Sequence, residues 1–219
     1  MLISEVIAKY IKTKYKKRVI FIPYGADKST PSDNDRVILS KYQLKPDAYF
    51  LQACRLEPEN NAHQVISEYN NYNGEKDLVV VGDTQHSPTY KQYLKKIANG
   101  QVKFLGGIYN EDFKVILRNA YCYIQGHEAG GTNPVSLEAM ASARCPLVLN
   151  VPYNIAVIKD CGISFSKSKG DLKSKLELVE KNTHLVKELG WRAFQKAQTE
   201  YAWSKIISAY DQIFASLSR

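Results

Sequence analysis

Apolar and polar positions follow two rhythms along this chain. From residue 49 onward, short continuous apolar runs alternate with longer stretches in which apolar side chains return every three or four residues. The runs at 48–53, 77–82, 102–105, 121–124 and 146–150 predict strands, and the stretches 59–69, 87–98, 111–119 and 134–143 predict helices. Strands without a polar face, separated by helices of this length, are parallel and covered on both sides. The pattern therefore predicts an α/β fold, a doubly wound parallel sheet. After Phe165 only the helical rhythm remains, over 171–180, 184–200 and 203–217, giving a set of C-terminal helices. Ahead of the sheet, residues 2–17 place Leu2, Ile3, Val6, Ile7, Tyr10 and Ile11 on one helical face with lysines on the other. Residues 19–22 read as a short β run stopped by Pro23 and Gly25, and 26–36 as a polar loop with few ways to bury itself.

One stretch departs from this regular alternation: QGHEAGGTNPVSLEAMASA, residues 125–143. Gly130 and Gly131 carry no Cβ to hold a ligand away from the backbone. Asn133 before Pro134 is a helix-start signal, because proline suits the first helical position and pushes the residue before it into the extended region that an N-cap occupies. The expectation is a row of unpaired N–H groups, among them those of Gly131, Thr132, Asn133 and Val135, at a partially positive helix end that favours an anion such as phosphate. Glu138 lies too deep in the helix to close a capping box, which leaves its carboxylate for ligand hydroxyls. An ordinary turn, with glycines serving only backbone geometry, accounts for the same residues. His127 and Glu128 are placed for acid/base work or for holding the loop by hydrogen bonds.

Ligands of open parallel sheets lie beyond the carboxyl ends of the strands. That directs attention to Arg55, Glu57, Glu59 and Asn60 after the first strand, Gly82, Asp83 and Thr84 after the second, and Gly106, Gly107 and Tyr109 after the third. Arg55 serves either a phosphate or a surface ion pair. No G-x-G-x-x-G follows the first strand, and neither a phosphate-loop GxxxxGK[ST] nor a G-x-S-x-G elbow occurs.

Charge and cysteines narrow the classes further. The net charge of +8 suits an anionic partner: a nucleotide diphosphate, a nucleic acid or a membrane surface. Much of the excess is local, in Lys9, Lys12, Lys14, Lys16, Lys17 and Arg18, so lipid contact by the first helix stands beside its packing on a neighbouring domain. Nucleic acid has only charge behind it and is not expected as a partner. Cys54, Cys122, Cys145 and Cys161 show neither metal-ligand nor redox spacing, which predicts buried free thiols and no metal site. No apolar run is long enough to cross a bilayer and no signal-peptide core is present, so the expected location is cytoplasmic.

These motifs together resemble a known family. From Val19 to its end the chain is similar to the C-terminal, donor-binding domain of the retaining family 4 glycosyltransferases of the GT-B fold. FIPYGAD resembles the segment entering that domain, and YFLQACRLEPENNAHQVISEY its arginine-bearing first β-turn-α unit. DLVVVGD and VKFLGGIYNEDF resemble the next strand ends, HEAGGTNPVSLEAMA the nucleotide-sugar loop and helix, and YAWSKIISAYDQIF the closing helix. The GGTNP and NVPYN forms are closest to a bacterial subgroup containing rhamnosyltransferases of polysaccharide assembly.

The resemblance implies a Rossmann-like half of a GT-B fold, with residues 1–18 as a crossover or inter-domain helix and 19–219 as the nucleotide-sugar donor-binding domain. The family's N-terminal acceptor domain has no counterpart here, so this half is expected to bind donor and to transfer poorly alone. The donor substrate is a nucleoside-diphosphate sugar, and no cofactor is implied. A glycan or lipid-linked acceptor would be reached through the other domain, and the location is the inner face of the membrane if the basic helix binds lipid. Arg55 holds the place of the arginine that contacts the diphosphate, and Glu138 that of the glutamate that binds the ribose hydroxyls; these two form the implied catalytic set. The implied donor-binding set is Asn60, Gly82, Asp83, Gly107, Tyr109, His127, Gly130, Gly131, Thr132, Asn133 and Val135. Asn60 replaces a usual lysine, Gly130 falls where the family has a sugar-contacting glutamate, and Ala156 stands where many relatives have glutamate. Loss of that glutamate fits a deoxysugar donor such as one carrying rhamnose, or an inactive copy. A non-catalytic nucleotide-sugar-binding or docking module is the alternative.

Overall fold

The computed structural model describes residues 4–217. Among these, six strands form one parallel sheet: β1 (Tyr49–Ala53), β2 (Asp77–Val81), β3 (Val102–Gly106), β4 (Cys122–Gln125), β5 (Cys145–Leu149) and β6 (Ile163–Phe165). Their order is β3-β2-β1-β4-β5-β6, so the chain winds outward from β1 to one edge, returns beside β1 at β4, and winds out to the other. The helices between and around them are α1 (Glu5–Tyr15), α2 (Asp35–Lys41), α3 (Ala62–Tyr69), α4 (Pro88–Ile97), α5 (Asn110–Arg118), α6 (Pro134–Ala141), α7 (Pro152–Ile158), α8 (Asp171–Lys181), α9 (Thr183–Glu200) and α10 (Trp203–Leu217).

Strands β1, β4 and β5 are buried along their whole length and β2 from Leu78 onward, as the pattern predicted, whereas β3, at the edge of the sheet, is only half-buried. Successive side chains of a strand point to opposite sides. On β1, Phe50 joins one core with residues of α3 and α8, while Tyr49, Leu51 and Ala53 join another with residues of α2 and α5. A third core unites Leu137 and Met140 of α6, Val148 of β5 and Ala193 and Ala197 of α9. The central register pairs Phe50 with Leu78 on one side and with Cys122 on the other, which brings the carboxyl ends of β1, β2 and β4 level. Proline opens α4, α6 and α7 at a position where its missing N–H costs nothing.

Several expectations are corrected. Residues 19–22 add no strand to the sheet; Phe21 makes one isolated bridge, and Pro23 supplies no N–H to extend a ladder. The stretch 26–36 is not unburied. The Ala26 N–H donates to the Tyr201 carbonyl at 2.8 Å, and Asp35, which opens the unpredicted helix α2, is buried against Arg118. Helix α7 and strand β6 were also absent from the sequence-based pattern. The predicted helix over 59–69 is broken: a 3-10 turn at Pro58–Asn60 ends in Asn61, whose φ of 55° and ψ of 30° are left-handed, and α3 starts after it. Helix α1 runs from Glu5 with Ser4 as N-cap; Leu2 and Ile3 lie outside the described residues.

Candidate functional site

Where the winding reverses between β1 and β4, the strand-end loops diverge and leave a crevice. It forms a cleft of about 310 Å³, at the lower end of the range of small-molecule sites. Ala53, Cys54, Val81, Ile108 and Phe113 give it an apolar lining, and Arg55, Asp83, Tyr109 and Glu138 its polar groups. Seven of the predicted site residues meet here: Arg55, Gly82, Asp83, Gly107, Tyr109, Val135 and Glu138.

Arg55 is exposed, and no hydrogen bond or ion pair engages its guanidinium among the described residues. Gly82 is required by close approach: a Cβ there would lie 1.8 Å from the Cys54 carbonyl oxygen, and its φ of 143° disfavours any side chain. This tight crossing keeps the ends of β1 and β2 together behind Arg55. Asp83 is already neutralised, with Lys91 Nζ 2.6 Å from its carboxylate and the Thr84 N–H donating at 2.7 Å. Tyr109 is 74% exposed and lines the cleft with its ring beside Gly107.

Glu138 lines the cleft instead of turning into the core, and it also lines a second hollow formed with Tyr24, Lys114 and Trp203. Its carboxylate has no hydrogen-bond partner among the described residues. Burial pushes its carboxyl above the ordinary range, Lys114 opposes that, and Asp27 adds to it. The site thus sets one unpaired cation and one unpaired carboxylate in the same cleft.

The glycine-rich turn is built differently from the expectation. Asn133 does cap α6, but its Oδ1 accepts from the N–H of Val135 at 2.9 Å and of Ser136 at 3.3 Å. Those two N–H groups are therefore not free for an anion. Gly131 and Thr132 line a separate small crevice with Ser4, Val6 and Tyr153. Gly130 has a φ of 145°, and the space a Cβ would take there is open. Asn60 is a correction too: it is buried, and its Nδ2 donates to the Arg55 carbonyl at 2.8 Å, so it braces the loop and does not line the cleft. His127 lies outside the cleft lining. Burial, and secondarily Arg55, lower its imidazole below the ordinary histidine range against the pull of Glu59, and its Nδ1 is buried without a partner among the described residues. Glu128 is paired with Lys167 and accepts from Asn61 Nδ2 at 2.7 Å, which makes it a structural anion and not a free base.

A buried polar network beneath the turn was not foreseen. Ser136 Oγ donates to Gln125 Oε1, Gln125 Nε2 donates to Asn154 Oδ1 at 2.6 Å, and Asn154 Nδ2 donates to the carbonyls of His127 at 3.0 Å and Leu149 at 2.9 Å. A glutamine ending an otherwise apolar strand was the available signal, since a buried amide needs partners. Likewise Glu57 accepts from Thr84 Oγ1 at 2.6 Å and from Ser87 Oγ, tying the β1 loop to the β2 loop.

Residues 35–196 match the family model described as glycosyl transferases group 1. A glycosyltransferase from Rickettsia africae superimposes with a TM-score of 0.86 at 12% identity, over 99% of this chain and 62% of that one. Anabaena HepE, solved in complex with UDP, superimposes with a TM-score of 0.85 at 16% identity, again over 99% and 62%. The C-terminal domain of a glycosyl transferase group 1 family protein from Francisella tularensis gives 0.68 at 19% identity, over 81% of this chain and 99% of that domain. At such identities the superpositions establish the fold. The chain spans about three fifths of the length of the first two structures.

Proposed function

The chain belongs to the glycosyl transferases of group 1, and from that premise we propose that it is the nucleotide-sugar-binding part of a transferase. The observation that carries this reading is the pairing of an unengaged Arg55 with an unengaged Glu138 in one cleft at the sheet's switch point. Arg55 meets the diphosphate of the donor, Glu138 accepts from the ribose hydroxyls, and the base lies against Gly107 and Tyr109. As the acceptor hydroxyl forms its bond to the anomeric carbon, the bond from that carbon to the phosphate oxygen breaks; the nucleoside diphosphate leaves with one more negative charge, and the hydroxyl proton passes to that departing phosphate oxygen or to solvent. Fixed positive charge from Arg55, helped by the N-terminal end of α6, stabilises that charge as it develops. Because Val135 and Ser136 N–H groups are already satisfied, Arg55 carries more of this task than the helix end does.

The open space at Gly130, where the family's sugar-contacting glutamate would fall, favours a donor sugar that asks for no carboxylate there, such as a deoxysugar. The φ of 145° at this residue also means that restoring a glutamate would strain the backbone. The acceptor is a glycan or a lipid-linked glycan, and its site lies on a further domain. A second reading concerns location. Helix α1 has no buried residue, and Tyr10 and Tyr15 stand half-exposed among its lysines, a surface suited to anionic lipid headgroups.

Isothermal titration with UDP, GDP and dTDP tests the donor site. Binding of one of them is expected, weakened about 10- to 100-fold by Arg55→Ala, as loss of a charge-assisted contact implies. Glu138→Gln weakens nucleotide binding as well but leaves inorganic pyrophosphate unaffected. Unchanged nucleotide affinity in both variants would reject the site.

A further inference from the structure

The glycine-rich turn has few side chains with which to hold its own place, and the contacts that fix it come from its neighbours. Residues 129–131 are one alanine and two glycines, and Gly130 is in a conformation open to glycine and little else. Two consecutive asparagines between β1 and α3, at the end of the 3-10 turn, reach in opposite directions. Asn60 Nδ2 donates to the carbonyl of Arg55 at 2.8 Å. Asn61 Nδ2 spends both its protons on the turn, donating to the Gly126 carbonyl at 2.9 Å and to Glu128 Oε1 at 2.7 Å. Asn61 adopts a left-handed conformation that asparagine tolerates better than most residues, and this reversal is what turns neighbouring side chains apart. Gly126 completes the joint: a Cβ there would lie 2.8 Å from the Asn60 carbonyl oxygen, so the two loops touch backbone to backbone. On the far side, Lys167 from the loop after β6 pairs with the same Glu128 oxygen.

We propose that Asn60, Asn61 and Glu128 form a bracket that fixes the separation between Arg55 and the glycine-rich turn, with Glu128 a positioning residue for nucleoside diphosphate binding. The inference rests on the donor reading above but concerns residues that touch no ligand. Glu128 accepts from a side chain of the β1 loop and from one of the β6 loop, so it ties three strand ends together around a segment that would otherwise sample many backbone conformations. Its conversion to glutamine keeps an acceptor for Asn61 and loses the charge that holds Lys167; its conversion to alanine loses both.

The test compares wild type, Glu128→Ala and Glu128→Gln by amide hydrogen exchange of residues 126–133 without nucleotide, and by titration with the nucleoside diphosphate that wild type binds. In Glu128→Ala, exchange across the turn is expected to speed up and affinity to fall about tenfold, while the melting temperature falls only modestly, since the ion pair is exposed and one Asn61 amide proton is left without its acceptor. Glu128→Gln recovers most of both losses. Asn61→Ala, which removes a buried residue, is the harsher variant and serves only as confirmation if it folds. Unchanged exchange in Glu128→Ala, or faster exchange with unchanged affinity, overturns the positioning role while leaving the donor site standing. Wild-type protein that binds no nucleoside diphosphate takes down both.

Discussion

Glu138 sits partly buried in the cleft wall without a hydrogen-bond partner, and burial raises its carboxyl above the ordinary range. A carboxyl whose folded-state pKa lies above its unfolded value prefers to be protonated when folded. Its ionisation therefore costs stability once the pH passes up through the ordinary carboxylate range, and the cost persists at neutral pH. Glu138→Gln should accordingly raise the melting temperature of the nucleotide-free protein at about pH 7.5 and change it little at about pH 4. Paired thermal melts check this, and an equal shift at both pH values would remove ionisation from the explanation. A protein that keeps such a group has set stability aside for a site that needs an acceptor. Arg55 and Glu138 were legible in the sequence because their places are fixed by what precedes them, a strand end and a proline-capped helix start. Asn60 was not, since the direction of its amide depends on the left-handed turn at Asn61, which leaves no mark on hydrophobic spacing. The Asn133 cap was read correctly, but its consequence was not: the same oxygen that starts α6 also occupies the Val135 N–H that the ligand was expected to use, together with that of Ser136.

Helix α2 shows how an element can be held by charge where it has little apolar surface. Arg118 at the end of α5 donates to Asp35 at the start of α2 through Nε at 2.9 Å and through a second nitrogen at 2.5 Å; Asn119 Nδ2 at 2.9 Å, Ser32 Oγ at 2.9 Å and the Ser32 N–H at 3.2 Å also donate to the carboxylate. Both charged groups are buried, and the guanidinium holds the Asp35 carboxyl far below its ordinary range. A depressed carboxylate contributes stability that is fully present above the unfolded pKa and is lost as acid protonates it. Removing one partner strands the other charge, so Asp35→Ala should cost about 3–5 kcal/mol. In a protein of this size that lowers the melting temperature by roughly 6–20 °C. The exposed pair of Lys41 and Asp112 on the same two helices offers the contrast: Asp112→Ala should cost about 1 kcal/mol or less. Urea melts of the two variants read the difference directly, and similar losses would mean that α2 is held by its apolar contacts. The same facts explain why α2 was invisible in the sequence. Seven residues with Ile38 and Leu39 as its only buried apolar side chains are too few to establish a helical period. The three-residue edge strand β6 was missed for the same reason, whereas β1, β2 and β5 announced themselves by apolar runs buried along nearly their full length.

The whole molecule distributes its charge unevenly, and this bears on where it works. No helix among the described residues is long and apolar enough to cross a membrane. Lys9, Lys12, Lys14, Lys16, Lys17 and Arg18 all stand exposed along α1 and the segment after it, with Glu5 the only carboxylate in that stretch. The start of α1 reaches the glycine-rich turn, since Ser4 and Val6 share a crevice with Gly131 and Thr132. A surface that meets anionic headgroups through α1 would thus hold the cleft close to a lipid-linked acceptor without any spanning segment. Lys9 and Lys12 are three residues apart on one face of α1, and Lys16 caps its C-terminal end in a left-handed conformation. Each cation near an anionic bilayer contributes about 1 kcal/mol, so replacing these three by glutamine should lower partitioning onto phosphatidylserine vesicles by about two orders of magnitude. Raising the salt concentration should weaken wild-type binding in the same direction. Neutral phosphatidylcholine vesicles should retain little of either protein, and nucleotide affinity should be the same in both, because none of the three lysines lines the cleft. Co-sedimentation measures all of this. If the triple variant binds anionic vesicles as wild type does, or wild type binds neutral vesicles equally well, α1 is a solvated or domain-facing helix and the basic excess has no part in placing the protein at a membrane.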